Sequence, residues 1–175
     1  MSVPIACGSV ARMFEGSLSG VDASANSDHA FMNIALEIAG RGAAAGEGPI
    51  GAVLAFGQEI LGVAHNAPIR LADPTAHAEV LALRAGALRL GNYRLPGTTL
   101  YVTVEPCLMC VGALIHARVQ RVVFGCHEPK AGALGSVLDL ARTPWGNHRL
   151  QVCGGIRADA ASQLLHRFFN VRRGA

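Results

Sequence analysis

The sequence has no long apolar run, no secretion-type N-terminus and almost no lysine. No stretch approaches the roughly 18 apolar residues that a membrane-spanning helix needs, and the first residues do not place a basic segment before an apolar one. We therefore expect a cytoplasmic protein with no membrane partner. Lys130 is the one lysine among 15 basic residues, so arginine carries the positive charge. The planar guanidinium suits phosphate contacts, although a codon bias would give the same composition.

The cysteine pattern also lacks the features of a disulfide framework. The chain has five cysteines, an odd number, and no secretion signal accompanies them. Metal binding or burial is the expected role of these thiols. The five are Cys7, Cys107, Cys110, Cys126 and Cys153.

With 175 residues, of which 51% are hydrophobic, the chain has the size and composition of one compact domain. Residues 1–27 are rich in alanine, serine and glycine without sustained periodicity, so we predict a flexible leader there and a folded domain over residues 28–175. The C-terminal part is basic, because after residue 140 it contains six arginines and only one acidic residue, Asp159.

Alternating helix and strand patterns predict an α/β fold. Apolar residues recur at helical spacing behind Asp28, which is a candidate helix cap, and two short apolar runs around Gly57 and Gln58 predict a β-hairpin. This order favours a mixed sheet covered by helices. The elements predicted after the hairpin are helices over 75–90, 107–117 and 158–172 and strands over 100–104, 121–125 and 150–153.

Three candidate zinc ligands lie at the predicted starts of two helices. His77 opens the second helix, and Cys107 and Cys110 lie in the first turn of the third, where the helix dipole favours thiolates. Structural zinc sites are usually closed by four protein ligands, whereas three ligands leave a position for water. The sequence therefore predicts a catalytic zinc ion.

Glu79 is the candidate catalytic residue beside that ion. It lies two residues after His77, which is about 200° around a regular helix, so both side chains reach one site only at a helix end. The Asp73-Pro74 pair supplies such an end. Alternatives remain for each part: the Cys-x-x-Cys pair is also typical of redox proteins, and most glutamates on helices are solvated.

From residue 29 to residue 173 the sequence resembles the bacterial tRNA adenosine deaminases of the cytidine deaminase superfamily. The resemblance implies a three-layer α/β/α fold, one Zn²⁺ per subunit on His77, Cys107 and Cys110, and Glu79 as proton shuttle. It also implies a homodimer that converts adenosine to inosine at the first anticodon position of a tRNA anticodon stem-loop. The stretches that carry it are 48–53, 66–69, 73–79, 92–95 and 99–125.

The resemblance also implies which residues line the substrate pocket. Asn66 would read the purine edge, although the residues alone favour equally an Asx turn before Pro68. Ile50 and Leu108 would form apolar walls. The sequence departs from the family at Glu128, where aspartate is usual, and at Ala67, where arginine is frequent, so RNA contacts in the 127–132 loop are expected to differ.

Two other functions remain open from the sequence. The zinc motif does not name its substrate, so a deaminase of a free nucleobase or nucleoside, of guanine or cytosine type, is the alternative enzyme. Arg172 and Arg173 in the basic C-terminal tail favour an RNA substrate, although arginines also favour any helix C-terminus. A non-catalytic zinc subunit is disfavoured by Glu79, which such a subunit would have no need to keep.

Overall fold

The structure, a computed structural model, describes residues 27–142 and 147–173. Its helices are α1 (Ser27–Ala44), α2 (Pro68–Leu71), α3 (Ala78–Leu90), α4 (Leu108–His116) and α5 (Ala158–Arg173). Its strands are β1 (Gly51–Phe56), β2 (Glu59–His65), β3 (Thr98–Val104), β4 (Arg121–Cys126) and β5 (Gln151–Cys153). A 3₁₀ turn at Leu140–Arg142 precedes β5.

The five strands form one mixed sheet in the order β2-β1-β3-β4-β5. β1 pairs antiparallel with β2 and β3, whereas β3, β4 and β5 run parallel. Almost every residue of β1, β3 and β4 is buried, as expected for strands that are covered on both faces. Because β3 and β4 are parallel, the segments that follow them leave from the same edge of the sheet.

Helices cover both faces of this sheet, which confirms the expected three-layer α/β/α fold. One face packs against α1, where Phe31 stacks on Tyr101 with ring centroids 4.8 Å apart. The other face packs against α3 and α4, in a cluster that contains Leu54, Val102 and Leu114. The layers approach closely: a Cβ on Gly51 would lie 2.2 Å from the backbone oxygen of Ala35 in α1.

Two local predictions were wrong. The second predicted helix begins at Ala78 rather than Thr75, because the Asp73 carboxylate accepts hydrogen bonds from the Thr75 N–H and hydroxyl and closes a separate turn. Asp28 is not a cap, because it lies inside α1 and forms a two-pronged ion pair with Arg121 at 2.7 and 2.8 Å. The predicted leader over residues 1–27 lies, except for Ser27, outside the described residues.

Among the described helices, none combines the length and the apolar character that crossing a bilayer requires.

Candidate active site

The site forms where the N-termini of α3 and α4 meet. His77 and Cys107 each occupy the position before a helix, with extended backbones at φ −72°, ψ 151° and φ −76°, ψ 171°. Cys110 lies in the first turn of α4 and is fully buried. His77 precedes the regular helix that carries Glu79. The two side chains therefore lie at a helix end, the one place where a His-x-Glu pair can reach a common site.

The three predicted ligands converge on one point. The ligand atoms of His77, Cys107 and Cys110 all lie within 4.8 Å of one another, with His77 Nδ1 at 3.6 Å from one sulfur and 3.5 Å from the other. Tetrahedral zinc with bonds of about 2.0 Å to nitrogen and about 2.3 Å to sulfur separates these atoms by about 3.5 Å. The cluster fits one Zn²⁺, and among the described residues no fourth His, Cys, Asp or Glu joins it.

In the protein without metal, the pKa values of the two thiols are shifted in opposite directions. The pKa of Cys107 is lowered to about 4, first by a hydrogen bond with the Cys110 thiol and then by one with His77. The same contact with Cys107, together with burial, raises the pKa of Cys110. Because zinc binds thiolates, loading the site requires the Cys110 proton to leave.

Glu79 is the buried acid of the site. It lies in the first turn of α3, two residues after His77, and its carboxyl interacts electrostatically with His77 and with the Cys110 thiol, so it adjoins the metal cluster. Glu79 is only 4% exposed, and this burial raises the pKa of its carboxyl. The carboxyl oxygen Oε2 has no hydrogen-bond partner among the described residues. A buried oxygen without a partner is costly unless a ligand satisfies it, so this atom is suited to hold and move a proton.

Asn66 is buried between the hairpin and α3. Its Oδ1 accepts a hydrogen bond from the Ala78 N–H at 2.8 Å and thereby caps the N-terminus of α3. This is a contact across 12 residues, not the local hydrogen bond of an Asx turn. Its Nδ2 lies next to Gly48, where an added Cβ would be 3.3 Å away. The NH₂ group is the part of the Asn66 amide left for substrate, so its reading of a purine edge stays a prediction.

The predicted apolar walls differ in exposure. Ile50 is partly buried against the core, and its carbonyl accepts the Asn66 N–H at 3.0 Å, so these two predicted pocket residues are neighbours. Leu108 is 57% exposed at the start of α4, beside Cys107. Its large exposed surface is consistent with a contact to substrate or to another subunit.

Glu105 organises the loop that flanks the cysteines, a role the sequence analysis missed. Its buried carboxylate accepts the backbone N–H groups of Glu128, Leu134 and Ser136 at 3.2, 2.9 and 3.0 Å. These bonds and the Ser136 hydroxyl lower its pKa to about 2 against the opposing effect of burial. An acid directly after an apolar strand and before Pro106 was the available signal.

Glu47 is a second buried acid that sequence reasoning missed. It is 1% exposed and accepts the N–H groups of Ile69 and Arg70 at 3.3 and 2.7 Å, which fixes α2 after Asn66. Glu128, by contrast, turns back on its own loop and accepts the Lys130 N–H at 2.9 Å. Its substitution for aspartate therefore leaves a capped turn in the 127–132 loop.

The basic tail reaches the turn between α1 and β1. Arg172 donates to the Gly46 carbonyl at 2.5 Å and stacks over the Phe168 ring at 4.5 Å. Gly46 lies two residues before Gly48, which adjoins the Asn66 amide, so Arg172 lies on the Asn66 side of the molecule. Arg173 ends α5, and its side chain is outside the described part of the structure.

A three-layer α/β/α fold that holds a His/Cys/Cys set and a buried glutamate at two helix N-termini defines a zinc-dependent hydrolytic deaminase. Residues 25–126 match the cytidine and deoxycytidylate deaminase zinc-binding region. The chain is 48% identical over 147 residues to a tRNA-specific adenosine deaminase of Haemophilus influenzae. The matched region makes up 83% of this chain and 85% of the relative. The chain therefore belongs to the cytidine and deoxycytidylate deaminase family, with the tRNA-specific adenosine deaminases as relatives.

Solved structures give the same fold with two kinds of substrate. One, from a study of A-to-I editing by tRNA deaminases at the wobble position of transfer RNA, has a TM-score of 0.75 and 38% identity, over 77% of this chain and 98% of that one. The guanine deaminase from Nitrosomonas europaea has a TM-score of 0.67 and 27% identity, over 80% of this chain and 83% of that one. The fold alone thus leaves the substrate to be argued from the site.

Proposed function

We propose that this protein hydrolytically deaminates adenosine to inosine at the wobble position, the first anticodon position, of tRNA. The observation that carries the deamination is the unpartnered, buried Oε2 of Glu79 beside the converging ligands His77, Cys107 and Cys110. The tRNA substrate is supported by the 48% identity to the Haemophilus influenzae relative, which is far above the 27% identity to the guanine deaminase.

The residues of the site divide the chemistry among themselves. His77, Cys107 and Cys110 would hold Zn²⁺, which when bound lowers the pKa of water from 15.7 to about 7. Glu79 takes a proton from the attacking water, delivers it to the ring nitrogen next to the attacked carbon and assists the departure of ammonia. Burial, which raises the pKa of the Glu79 carboxyl, favours its protonated form and so suits a group that must carry a proton during the reaction.

An anticodon stem-loop is the proposed form of the RNA. Its loop bases are already single-stranded, so turning the target adenosine into the site costs little unstacking energy. Arg172 is held beside the α1–β1 turn on the Asn66 side, and its guanidinium retains donors beyond the one that Gly46 uses. Together with Arg173 it would contact phosphates of the bound loop.

A free nucleobase deaminase is the second candidate, and the guanine deaminase fold is the observation that favours it. The experiment incubates the zinc-loaded protein separately with an anticodon stem-loop that carries adenosine at the first anticodon position, free adenosine, guanine and cytosine. Inosine in the stem-loop with poor turnover of the small molecules is the expected result. Turnover of guanine or cytosine with an unmodified stem-loop would contradict the proposal, and the Glu79→Gln protein is the blank for contaminating activity.

Three further expectations, on oligomeric state, cellular location and the role of residues 1–27, belong to the same proposal. We expect a homodimer, because large apolar side chains such as Leu108 at the start of α4 remain exposed, and light scattering of the purified protein tests it. We expect the protein in the cytoplasm, where its tRNA substrate occurs, and fractionation of cells tests this. A chain that starts at Asp28 should keep its activity, whereas its loss would make residues 1–27 part of the site or the fold.

A further inference from the structure

A cleft with two arginines lies at the end of the strands opposite the active site. Its volume is about 410 Å³, and its lining residues are Arg94, Pro96, Gly97, Arg118, Gln120 and His148. Four of these residues immediately precede β3 or β4, whereas the metal-binding cysteines follow the carboxyl end of β3. The seven residues of β3, at about 3.3 Å each, put roughly 20 Å between the two places. The cleft is therefore separate from the site proposed for deamination.

Backbone contacts hold the two arginines of the cleft next to each other. The Leu95 N–H donates to the Ala117 carbonyl at 2.6 Å, so Arg94 and Arg118 each adjoin one partner of the same hydrogen bond. In the described part of the chain, no carboxylate forms an ion pair with either arginine. Neighbouring cations repel each other, and a negative ligand placed between them removes that cost.

Arg118 also occupies a backbone position that normally belongs to glycine. It follows the last residues of α4 with φ +60°, and its N–H donates to the Ile115 carbonyl at 3.1 Å. The end of α3 has glycine in this left-handed conformation, Gly91 with φ +62°. A side chain is strained there, which is why glycine is preferred. Strain that is kept at a cleft points to a use for the guanidinium.

Both guanidinium groups are oriented by one hydrogen bond and keep further donors. Arg94 donates from Nε to the Tyr93 hydroxyl at 2.9 Å, which leaves its two NH₂ groups. Arg118 donates from Nη1 to the Asn147 carbonyl at 2.5 Å, which leaves Nε and Nη2. Among the described residues, none accepts a hydrogen bond from these remaining N–H groups. The cleft thus presents two fixed forks of donors to a ligand.

This arrangement fits a phosphate group better than a carboxylate. A carboxylate has one charge and two oxygens, which a single guanidinium satisfies, whereas a phosphate monoester has three terminal oxygens and about two charges. The volume of the cleft lies in the lower part of the range for small-molecule sites. We propose that Arg94 and Arg118 bind the phosphate group of a small phosphorylated molecule in this cleft. The assignment adds a second ligand to the protein and does not depend on its RNA substrate.

Calorimetric titration of the zinc-loaded protein tests the proposal with inorganic phosphate and ribose 5-phosphate at constant ionic strength. Ribose and acetate are the matched probes that lack a phosphate group. We expect one phosphate site per chain and no comparable binding of ribose or acetate. Arg94→Ala should weaken phosphate binding by about 10- to 150-fold, the value of a hydrogen bond to a charged group. Arg41→Ala removes an exposed arginine from α1 and should bind like the wild type.

Arg118→Gly separates ligand binding from folding. Glycine relieves the left-handed strain while it removes the guanidinium, so this variant should lose phosphate affinity without a lower melting temperature. Both arginine variants should keep their zinc and their rate on the anticodon stem-loop, because Arg94 and Arg118 lie at the opposite end of β3 from the metal cluster.

Three results would overturn the proposal. The first is a wild type that shows no saturable phosphate binding at millimolar concentrations, or that binds acetate as tightly as phosphate. The second is phosphate binding that is equal in the wild type and in both arginine variants, which would place the anion elsewhere, for example at the zinc. The third is a loss of stem-loop affinity in Arg94→Ala and Arg118→Gly without phosphate binding by the wild type, which would assign the cleft to RNA.

Discussion

Replacing Glu105 with glutamine should loosen the loop beside the cysteines and destabilise the whole domain. The carboxylate accepts five hydrogen bonds, three of them from backbone N–H groups of Glu128, Leu134 and Ser136. In Glu105→Gln an NH₂ group must face at least two of these donors. The pKa of Glu105 is lowered from 4.5 to about 2, which corresponds to about 3 kcal/mol of stability at neutral pH.

The sign of the pH dependence follows from the lowered pKa. Glu105 contributes its full stabilisation above pH 4.5, and the contribution disappears as the pH falls toward 2. Urea unfolding should therefore give Glu105→Gln a deficit of about 3 kcal/mol at pH 7, and about 2 kcal/mol of that difference should be lost by pH 3. Effects of acid on zinc and on other carboxyls are common to both proteins. A variant as stable as the wild type at pH 7 would refute the reasoning.

Three further predictions concern the site. Cys107→Ser and Cys110→Ser should each lose zinc and activity together, and full activity of metal-free wild type would exclude the zinc mechanism. Glu79→Gln should keep zinc, measured by metal analysis, and lose about 10² to 10⁴ in rate; loss of zinc at unchanged folding would instead make Glu79 a ligand. Replacing Arg172 and Arg173 with alanine should flatten the plot of log tRNA affinity against log salt by about 1.4, and an unchanged slope would remove both from the interface.

Matched controls make these outcomes specific. Cys153→Ser alters a half-buried thiol outside the metal cluster and should keep full zinc occupancy. Arg84→Ala removes an exposed arginine from α3 and should leave the salt dependence unchanged. Because Arg172 also bonds to Gly46, a melting temperature for the double variant shows whether α5 has remained docked.

The metal ligands could be predicted because each depends on a local pattern. His77 and Glu79 are useful together only at a helix end, and the chain provides that end through the Asp73 turn, three residues later than the sequence suggested. The pair Cys107 and Cys110 needs only the start of α4. Residue type and spacing within four positions therefore determined these parts of the site.

The supporting groups could not be predicted, because their partners are distant in sequence. Glu105 binds N–H groups 23 to 31 residues away, and Glu47 binds Ile69 and Arg70 across 22 and 23 residues. A sequence shows that such an acid interrupts an apolar run, but it does not show which loop will present donors to it. The short helix α2 was missed for the same reason, since Glu47 stabilises it from outside.

These distant contacts separate the support of the metal site from the support of the loops around it. The ligands and Glu79 depend on two helix starts that the sheet fixes rigidly. The loops proposed to meet the substrate are held by buried acids: Glu47 anchors α2 after Asn66, and Glu105 anchors the loop that begins at His127. A loop anchored through backbone N–H groups tolerates new side chains, because the anchor does not involve them. Side chains at positions such as Glu128 and His127 can therefore change without disturbing the residues that bind zinc.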